Sequence, residues 1–211
     1  MDTSAWTCGF ALLSASDDYC FGGIIYGMQS APRDSRPWPH YHLPVVVVNK
    51  VGDLYCSVLD IKPVVATNLQ SNRWYHLLLS YDCNLQHQDV YLDGDNVHSA
   101  TGSLHEEWEF ITHEQVGTGC VTGGEDRFPY RGHLGWYGFH GLVDEFRVWG
   151  QALNATDAVE LAAGGNLPRD QLQATVKLHE VPWIRTSSRW VNVQKISRAR
   201  PSEDVRVLPL G

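Results

Sequence analysis

The stretch Gly141-Leu142-Val143-Asp144-Glu145-Phe146-Arg147-Val148-Trp149, followed closely by Ala152-Leu153-Asn154, decides the fold of this chain. Apolar and charged residues are interleaved in it. From Glu145 to Trp149 the pattern predicts a β-strand with one buried face and one face in water. Gly141 is expected to let the backbone enter this strand at an angle that other residues resist.

A short helix is predicted directly after this strand, from residue 155 to about residue 163. Asn154 is a favoured N-cap, because its side-chain oxygen can accept a hydrogen bond from a free backbone amide. Asp157 and Glu160 suit the positive end of the helix, and Gly164-Gly165 would end it. Asn154-Ala155-Thr156 is also a glycosylation sequon, but the capping role explains Asn154 without a sugar.

Two earlier stretches complete the pattern: Asn72-Arg73-Trp74-Tyr75-His76-Leu77-Leu78-Leu79-Ser80-Tyr81-Asp82, and Val90-Tyr91-Leu92-Asp93-Gly94. With the strand and helix above, they resemble the Trp-x-His strand, the Tyr-hydrophobic-Asp-Gly hairpin and the closing signature of laminin-G-like, concanavalin A-like jelly rolls. The resemblance covers roughly residues 6–165. It implies an all-β fold, an antiparallel two-sheet β-sandwich of about a dozen strands, with one short C-terminal helix and an extended tail. His76 would be structural, and Asp144 and Glu145 would hold backbone amides.

The charge is distributed unevenly along the 211 residues, whose net charge is −8. Residues 166–211 hold eight Lys and Arg against four Asp and Glu, a net charge of +4, and the preceding residues carry −12. We therefore expect a jelly-roll domain over residues 1–165 and a basic extension over residues 166–211 that packs on the domain or on a partner. The alternating residues 174–181 are expected to add a strand to an open sheet edge, because uncovered edges are aggregation hazards. A flexible linker is the alternative.

Composition and motifs exclude several classes of protein. An acidic domain without a dense basic run does not suit nucleic acid, and no apolar run is long enough to span a membrane. The first residues do not resemble a signal peptide. The expected compartment is intracellular, within an assembly, if Met1 is the native start, and extracellular if the chain is an internal piece of a secreted precursor.

Five cysteines, at positions 8, 20, 56, 83 and 120, show neither a CxxC motif nor zinc-finger spacing. Cys8 and Cys20 lie on either side of a predicted turn and are the best candidates for a disulfide. Five free thiols in a reducing compartment are the alternative.

Aromatic side chains in predicted loops are the candidate ligand-binding residues, because their rings stack on sugar faces and anchor protein interfaces. They are Trp38, Tyr41, Trp108, Tyr130, Trp136 and Tyr137. Trp6, Trp74 and Trp149 are expected in the core instead. The sequence therefore predicts a non-catalytic recognition module for a glycan or a protein partner. The alternative is a structural subunit of a large assembly that binds no glycan.

A β-glucanase-like hydrolase is the enzymatic alternative. Retaining glycosidases need two carboxylates about 5–5.5 Å apart. Glu107 and Glu109, beside Trp108, are the one pair at i and i+2 next to a tryptophan. A solvated acidic loop is the better explanation, because two acids at this spacing are common, so we expect no catalytic residue.

No cofactor and no tightly bound metal are expected. If an ion binds, Ca²⁺ is the best candidate, with oxygen ligands from Asp93, Asp95 and Asn96 or from Glu125 and Asp126. Ordinary turn chemistry accounts for the same residues. A transition-metal site could combine His40 and His42 with His133 or His140, although surface histidines are the simpler interpretation.

Overall fold

The computed structural model describes residues 4–14, 22–31, 39–117, 138–168, 172–176, 183–186 and 189–192, the last three stretches by their backbone only. The strands are β1 Ser4–Leu12, β2 Gly23–Ser30, β3 His42–Val48, β4 Leu54–Cys56, β5 Val64–Ala66, β6 Trp74–Asp82, β7 His87–Leu92, β8 Asp95–Thr101, β9 Ile111–Val116, β10 Gly141–Trp149, β11 Leu172–Val176, β12 Trp183–Thr186 and β13 Arg189–Asn192. A 3-10 helix, η1, spans Glu106–Phe110, and an α-helix, α1, spans Ala155–Ala162.

The strands form two antiparallel sheets that pack face to face. One sheet has six strands in the order β11-β10-β1-β6-β7-β8, and the other has seven in the order β13-β12-β9-β2-β3-β4-β5. The main core lies between them. Phe10, Tyr26 and Phe146 are among its fully buried rings, and the Tyr26 and Phe146 ring centroids are 4.9 Å apart. The predicted all-β sandwich with one short helix is confirmed.

The stretch from Gly141 to Trp149 forms β10, which lies between β11 and β1 in the six-stranded sheet. Glu145 has φ of 49°, and the register of β10 against β1 shifts at this point. Asp144 Oδ1 accepts a hydrogen bond from the Glu145 amide at 2.8 Å, and the Glu145 carboxylate pairs with Arg147. This register shift is a β-bulge. It keeps both Val143 and Phe146, which lie on either side of it, on the core side of the sheet.

Gly141 is needed for space rather than for its backbone angle. A Cβ at this position would lie 2.3 Å from the Phe139 ring and 2.4 Å from the carbonyl oxygen of Ala11. Both atoms belong to the packed interior, so a side chain here would displace them.

Helix α1 forms as predicted and covers part of the outer face of the six-stranded sheet. Asn154 Oδ1 accepts hydrogen bonds from the amides of Thr156 and Asp157, and Asp157 Oδ2 accepts one from the Asn154 amide, which completes a capping box. Ala158 and Leu161 of the helix pack with Leu78, Tyr91 and Trp149 in a second core cluster. The described residues include no helix with the length and apolar character needed to cross a membrane.

The added strand is confirmed for residues 174–176. They belong to β11, which pairs antiparallel with β10 at the edge of the six-stranded sheet, with Thr175 opposite Arg147. Residues 177–181 lie outside the described residues. Farther along, β12 pairs with β9, which lengthens the seven-stranded sheet.

Of the two alternatives for the cysteines, the candidate Cys8–Cys20 disulfide is wrong, because Cys8 is a free thiol buried between the sheets. Cys56 is also a free thiol. Burial raises the pKa of the Cys8 thiol to about 12, and burial also raises the pKa of Cys56. Cys20 and Cys120 lie outside the described residues.

Candidate functional site

The six predicted ligand-binding aromatics divide into two groups. Trp38, Tyr130, Trp136 and Tyr137 lie outside the described residues. Tyr41 and Trp108 are described, and they lie close to the same end of the sandwich: Tyr41 immediately before β3, and Trp108 in η1.

Trp108 is a core residue rather than an exposed loop aromatic. Only 7% of it is exposed, and it packs within the main core. Its indole Nε1 is buried without a hydrogen-bond partner. Because it is buried, Trp108 offers little open surface for stacking, contrary to the expectation from the sequence. The physical reason is the 3-10 turn, which directs Trp108 inward while Glu106 and Glu109 beside it are exposed.

Tyr41 lies against His105, with the ring centroids 4.8 Å apart and the planes 10° from parallel. The Tyr41 amide donates a hydrogen bond to Ser30 Oγ at 2.8 Å, and its carbonyl accepts one from the Ser30 amide, so its backbone is tied to the end of β2. Burial raises the pKa of the Tyr41 phenol, and the nearby carboxylates of Asp60 and Glu107 raise it further. Tyr41 is therefore a positioned, half-buried ring beside two acids.

Glu107 completes a group of polar side chains around this ring. Its Oε1 lies 3.2 Å from His40 Nε2, and its backbone amide donates to His105 Nδ1 at 3.1 Å. His105 thus caps η1 and stacks on Tyr41 at the same time. We call His40, Tyr41, His105 and Glu107 the rim cluster. It combines an aromatic face, a carboxylate and imidazole nitrogens in one place.

A second polar group lies on the outer face of the seven-stranded sheet, next to Gly27. Gln115 Nε2 donates to Gln29 Oε1 at 3.2 Å and lies 3.1 Å from His42 Nε2. Gln29 and Gln115 are fully buried, and Gln115 Oε1 has no hydrogen-bond partner. Burial lowers the pKa of His42 to about 4, so its imidazole is neutral at pH 7.

Glu107 and Glu109 do not form the paired arrangement of a glycosidase strand. Both lie within the single 3-10 turn of η1. With three residues per turn, side chains at i and i+2 point in different directions around the helix axis. Glu107 is held by His40 and is largely buried, whereas Glu109 is exposed. The pair therefore lacks the shared face on which two acids would flank a sugar bond.

The candidate metal ligands take part in local hydrogen bonds. Asp93 accepts from the His76 amide and from Arg73, at 2.8 and 2.9 Å, and Asn96 donates to Asp89. Within the described ranges, no three His, Cys, Asp or Glu residues come together as a metal-binding group. Glu125, Asp126 and His133 lie outside those ranges. Whether the protein binds Ca²⁺ stays a prediction.

Trp74 is the aromatic residue that the sequence interpretation missed. It was expected in the core but is 51% exposed on the outer face of the six-stranded sheet, so that prediction is wrong. The alternation within β6 carried the signal: Tyr75, Leu77 and Leu79 point into the main core. Trp74 precedes Tyr75 and must face the opposite way.

A laminin G family profile, described as the concanavalin A-like lectin/glucanases superfamily, matches residues 48–158. A search of curated proteins gave no significant match. Among solved structures, a proposed carbohydrate binding protein from Bacteroides ovatus is similar, with a TM-score of 0.54 and 16% identity over 88% of this chain and 49% of that one. A Trypanosoma rangeli sialidase gives a TM-score of 0.52 and 13% identity over 76% of this chain.

The chain spans about half of the Bacteroides protein and 22% of the sialidase. The CBM40 module of a Ruminococcus gnavus sialidase is similar over 83% of its own length, with a TM-score of 0.51 and 8% identity. At these identities the structural matches establish the fold. The family profile covers more than half of the sequence, and the chain therefore belongs to the laminin G group of the concanavalin A-like lectin/glucanases superfamily.

Proposed function

We propose that this chain is a non-catalytic recognition module that binds a glycan at the rim cluster, with loop aromatics completing the site. The observation that carries the proposal is the Tyr41–His105 stack beside the His40–Glu107 pair. Sugar sites combine a flat aromatic surface with a few oriented polar groups, and these four side chains supply both. Trp38, Tyr130, Trp136 and Tyr137 remain proposed contacts from the sequence.

Hydrogen bonds hold the backbone around the rim cluster in place, which suits a preformed site. Ser30 holds Tyr41 at the end of β2, and His105 caps η1 through the Glu107 amide. The buried indole of Trp108 anchors η1 to the core. Side chains held this way lose little conformational freedom when a ligand binds, so less of the interaction energy is spent on ordering them.

The charges near the rim cluster favour a neutral sugar over an anionic one. Glu107 belongs to the cluster, and Asp60 is close enough to raise the pKa of Tyr41. Lys62, the nearby cation, donates its ammonium hydrogens to the carbonyls of Ser57 and Leu59. Among the residues that the structure describes, a carboxylate-bearing sugar would therefore meet two acids with little compensation. The Ruminococcus module was solved with α2,3-sialyllactose, and we expect this chain to differ from it in ligand charge.

The structural matches support glycan recognition more than hydrolysis. They include a carbohydrate-binding module and a proposed carbohydrate binding protein, although at low identity. The separation of Glu107 and Glu109 on one 3-10 turn adds a geometric argument against a paired-acid mechanism. A reducing-sugar assay on β-glucans provides the enzymatic control, and turnover that is lost in Glu107→Gln would overturn the proposal.

A protein partner is the second candidate, and one observation favours it. Ile61 and Phe110, which follow Asp60 and Glu109 in the chain, are 81% and 53% exposed. Exposed large apolar side chains near a ligand site also suit a protein contact.

The test is a glycan array of neutral and sialylated oligosaccharides, followed by calorimetry with the strongest ligand. We expect a neutral glycan to bind, Tyr41→Ala to weaken it about tenfold, and Tyr41→Phe to retain most of the affinity because the ring stays. Glu109→Gln is the matched control for Glu107→Gln, since both change one acid of η1. Equal affinities for wild type, Tyr41→Ala and Glu107→Gln would refute the proposed site.

A further inference from the structure

The described residues cover only part of the outer face of the six-stranded sheet. Helix α1 lies over Leu78, Tyr91 and Trp149. Farther along the same strands, Trp74 and Leu142 are 51% and 44% exposed. Ala11 of β1 pairs with Leu142 of β10 on one side and with Trp74 of β6 on the other, so the three residues form one row across the sheet. We call Trp74 and Leu142 the outer platform.

The Trp74 ring lies along the sheet instead of standing away from it. The atoms Cε3 and Cζ3 of Trp74 lie 3.8 Å from the point that a Cβ on Gly9 would occupy, so the six-membered part of the ring extends toward Gly9. Gly9 lies on β1, two residues before Ala11 and therefore on the same face of the sheet. About half of the Trp74 surface remains in water, where a ligand can contact the ring.

Polar groups border the platform in the next row of the sheet. Gly9 pairs with Asp144 of β10 and with His76 of β6, so both side chains flank the position under the ring. Asp144 accepts one hydrogen bond, from the adjacent Glu145 amide. His76 Nδ1 is buried and has no hydrogen-bond partner. The Asp144 carboxylate can accept further hydrogen bonds from hydroxyls of a molecule seated on Trp74, whereas the buried His76 Nδ1 is closed to such a molecule.

The neighbouring charges are mostly neutralised in pairs. Arg73 binds Asp93 at 2.9 Å, and Arg147 binds Glu145 at 2.8 Å. Asp144 is the remaining carboxylate in this row. The platform therefore has a weakly negative border, which disfavours a sugar that carries a carboxylate or a sulfate.

The size of the platform decides between a sugar and a protein. A half-exposed tryptophan and a half-exposed leucine present roughly 200 Å² of apolar surface. A stable protein interface needs about 800 Å² on each partner. The platform is too small for that and matches one face of a six-membered sugar ring.

We propose that the outer platform is a second glycan-binding site, which stacks the C–H face of a neutral pyranose on Trp74 and Leu142 and hydrogen-bonds its hydroxyls to Asp144. The site lies on the six-stranded sheet, whereas the rim cluster lies beside the start of β3 and in and before η1. It does not depend on the rim cluster being a binding site. With both sites active, one copy of the chain would contact two sugar residues or two glycan chains.

The test is saturation-transfer NMR with cellotetraose and lactose as neutral probes and 3′-sialyllactose as the anionic probe. All variants are made in a Tyr41→Ala background, so that failure of the rim cluster is separated from failure of the platform. We expect at least one neutral probe to show transfer to its ring hydrogens, and Trp74→Ala to weaken its binding about five- to tenfold. Leu85→Ala, which changes a leucine that is 71% exposed elsewhere, should leave binding unchanged.

Trp74→Phe is the second variant and should keep part of the affinity, because a smaller ring still stacks. Thermal denaturation of each variant shows that the fold is retained. Three outcomes would overturn the proposal: no transfer to either neutral probe, equal binding by Trp74→Ala and Leu85→Ala, or stronger binding of 3′-sialyllactose than of both neutral probes. A change of oligomeric state in Trp74→Ala would also overturn it, since the platform would then be a self-association surface.

Discussion

His42 and Gln115 lie side by side on the outer face of the seven-stranded sheet, with their Nε2 atoms 3.1 Å apart. Since burial lowers the pKa of His42 from 6.5 to about 4, the neutral ring accepts this hydrogen bond from the Gln115 amide. A protonated ring could not, because both of its nitrogens would be donors.

The first prediction is that the protein loses stability as the pH falls from 7 to 5. The unfolded chain binds a proton at His42 near pH 6.5, and the folded chain does so only near pH 4. The free energy of unfolding is therefore about 2 kcal/mol lower at pH 5 than at pH 7, and it does not change above pH 7. Burial lowers the pKa of His113 to about 4 as well, so it acts in the same direction.

Urea denaturation at pH 7 and pH 5 measures this effect. His42→Gln keeps a hydrogen-bonding side chain but removes the titrating group, and its stability should differ less between the two pH values. If the wild type and His42→Gln show the same difference, the buried neutral histidine is not its source.

The second prediction concerns the cap of α1. Asn154→Ala removes the acceptor that holds the amides of Thr156 and Asp157, at 2.8 and 3.2 Å. We expect a loss of about 1 kcal/mol in the free energy of unfolding, measured by chemical denaturation. Asn154→Asp should retain most of the stability, because it keeps an acceptor oxygen and also removes the glycosylation sequon. A stability loss of the same size in both variants would contradict the capping role.

The third prediction concerns thiol reactivity. Cys8 and Cys56 are fully buried with raised pKa values, whereas Cys83 is partly exposed. Because the thiolate is the reactive form, iodoacetamide at pH 8 should label Cys83 in the native protein and label Cys8 and Cys56 only after unfolding. Peptide mass spectrometry locates the labels. Labelling of Cys8 at the rate of Cys83 under native conditions would show that the core opens readily or that Cys8 is not buried.

The fourth prediction concerns the strand added by the basic extension. Removing everything after Gly165 exposes the edge of β10 that β11 covers, whereas a truncation after Val176 keeps that strand. We expect the shorter protein to have a lower melting temperature and to self-associate, because an open edge pairs with other chains. Size-exclusion chromatography and thermal denaturation compare the two. Equal stability and a monomeric state in both proteins would mean that residues 166–176 do not stabilise the domain or protect its edge.

The helix and the Asp93-Gly94 hairpin could be read from the sequence because both depend on neighbours in the chain. Asn154 caps α1 through amides two and three residues away. Asp93 and Gly94 take φ values of 54° and 91°, which the hairpin turn requires and which aspartate and glycine tolerate. Such local requirements leave a signature in consecutive residues.

Trp74 and Trp108, whose exposure differs from the expectation, show what local sequence patterns do not specify. Trp74 lies at the start of the predicted strand, and Trp108 lies in a segment whose sequence suits either a loop or a strand. The first is half exposed and the second is buried. Strand alternation places Trp74 on the face opposite to Tyr75, but it does not tell whether another element covers that face.

The sequence by itself determined the sandwich, the capped helix and the family, because periodicity and short-range hydrogen bonds are written into adjacent residues. The tertiary structure decided which aromatic rings meet water. Helix α1 covers Trp149 and stops short of Trp74, while η1 turns Trp108 into the core. Contacts between residues far apart in the chain determine the exposure of a side chain, and no local pattern specifies those contacts.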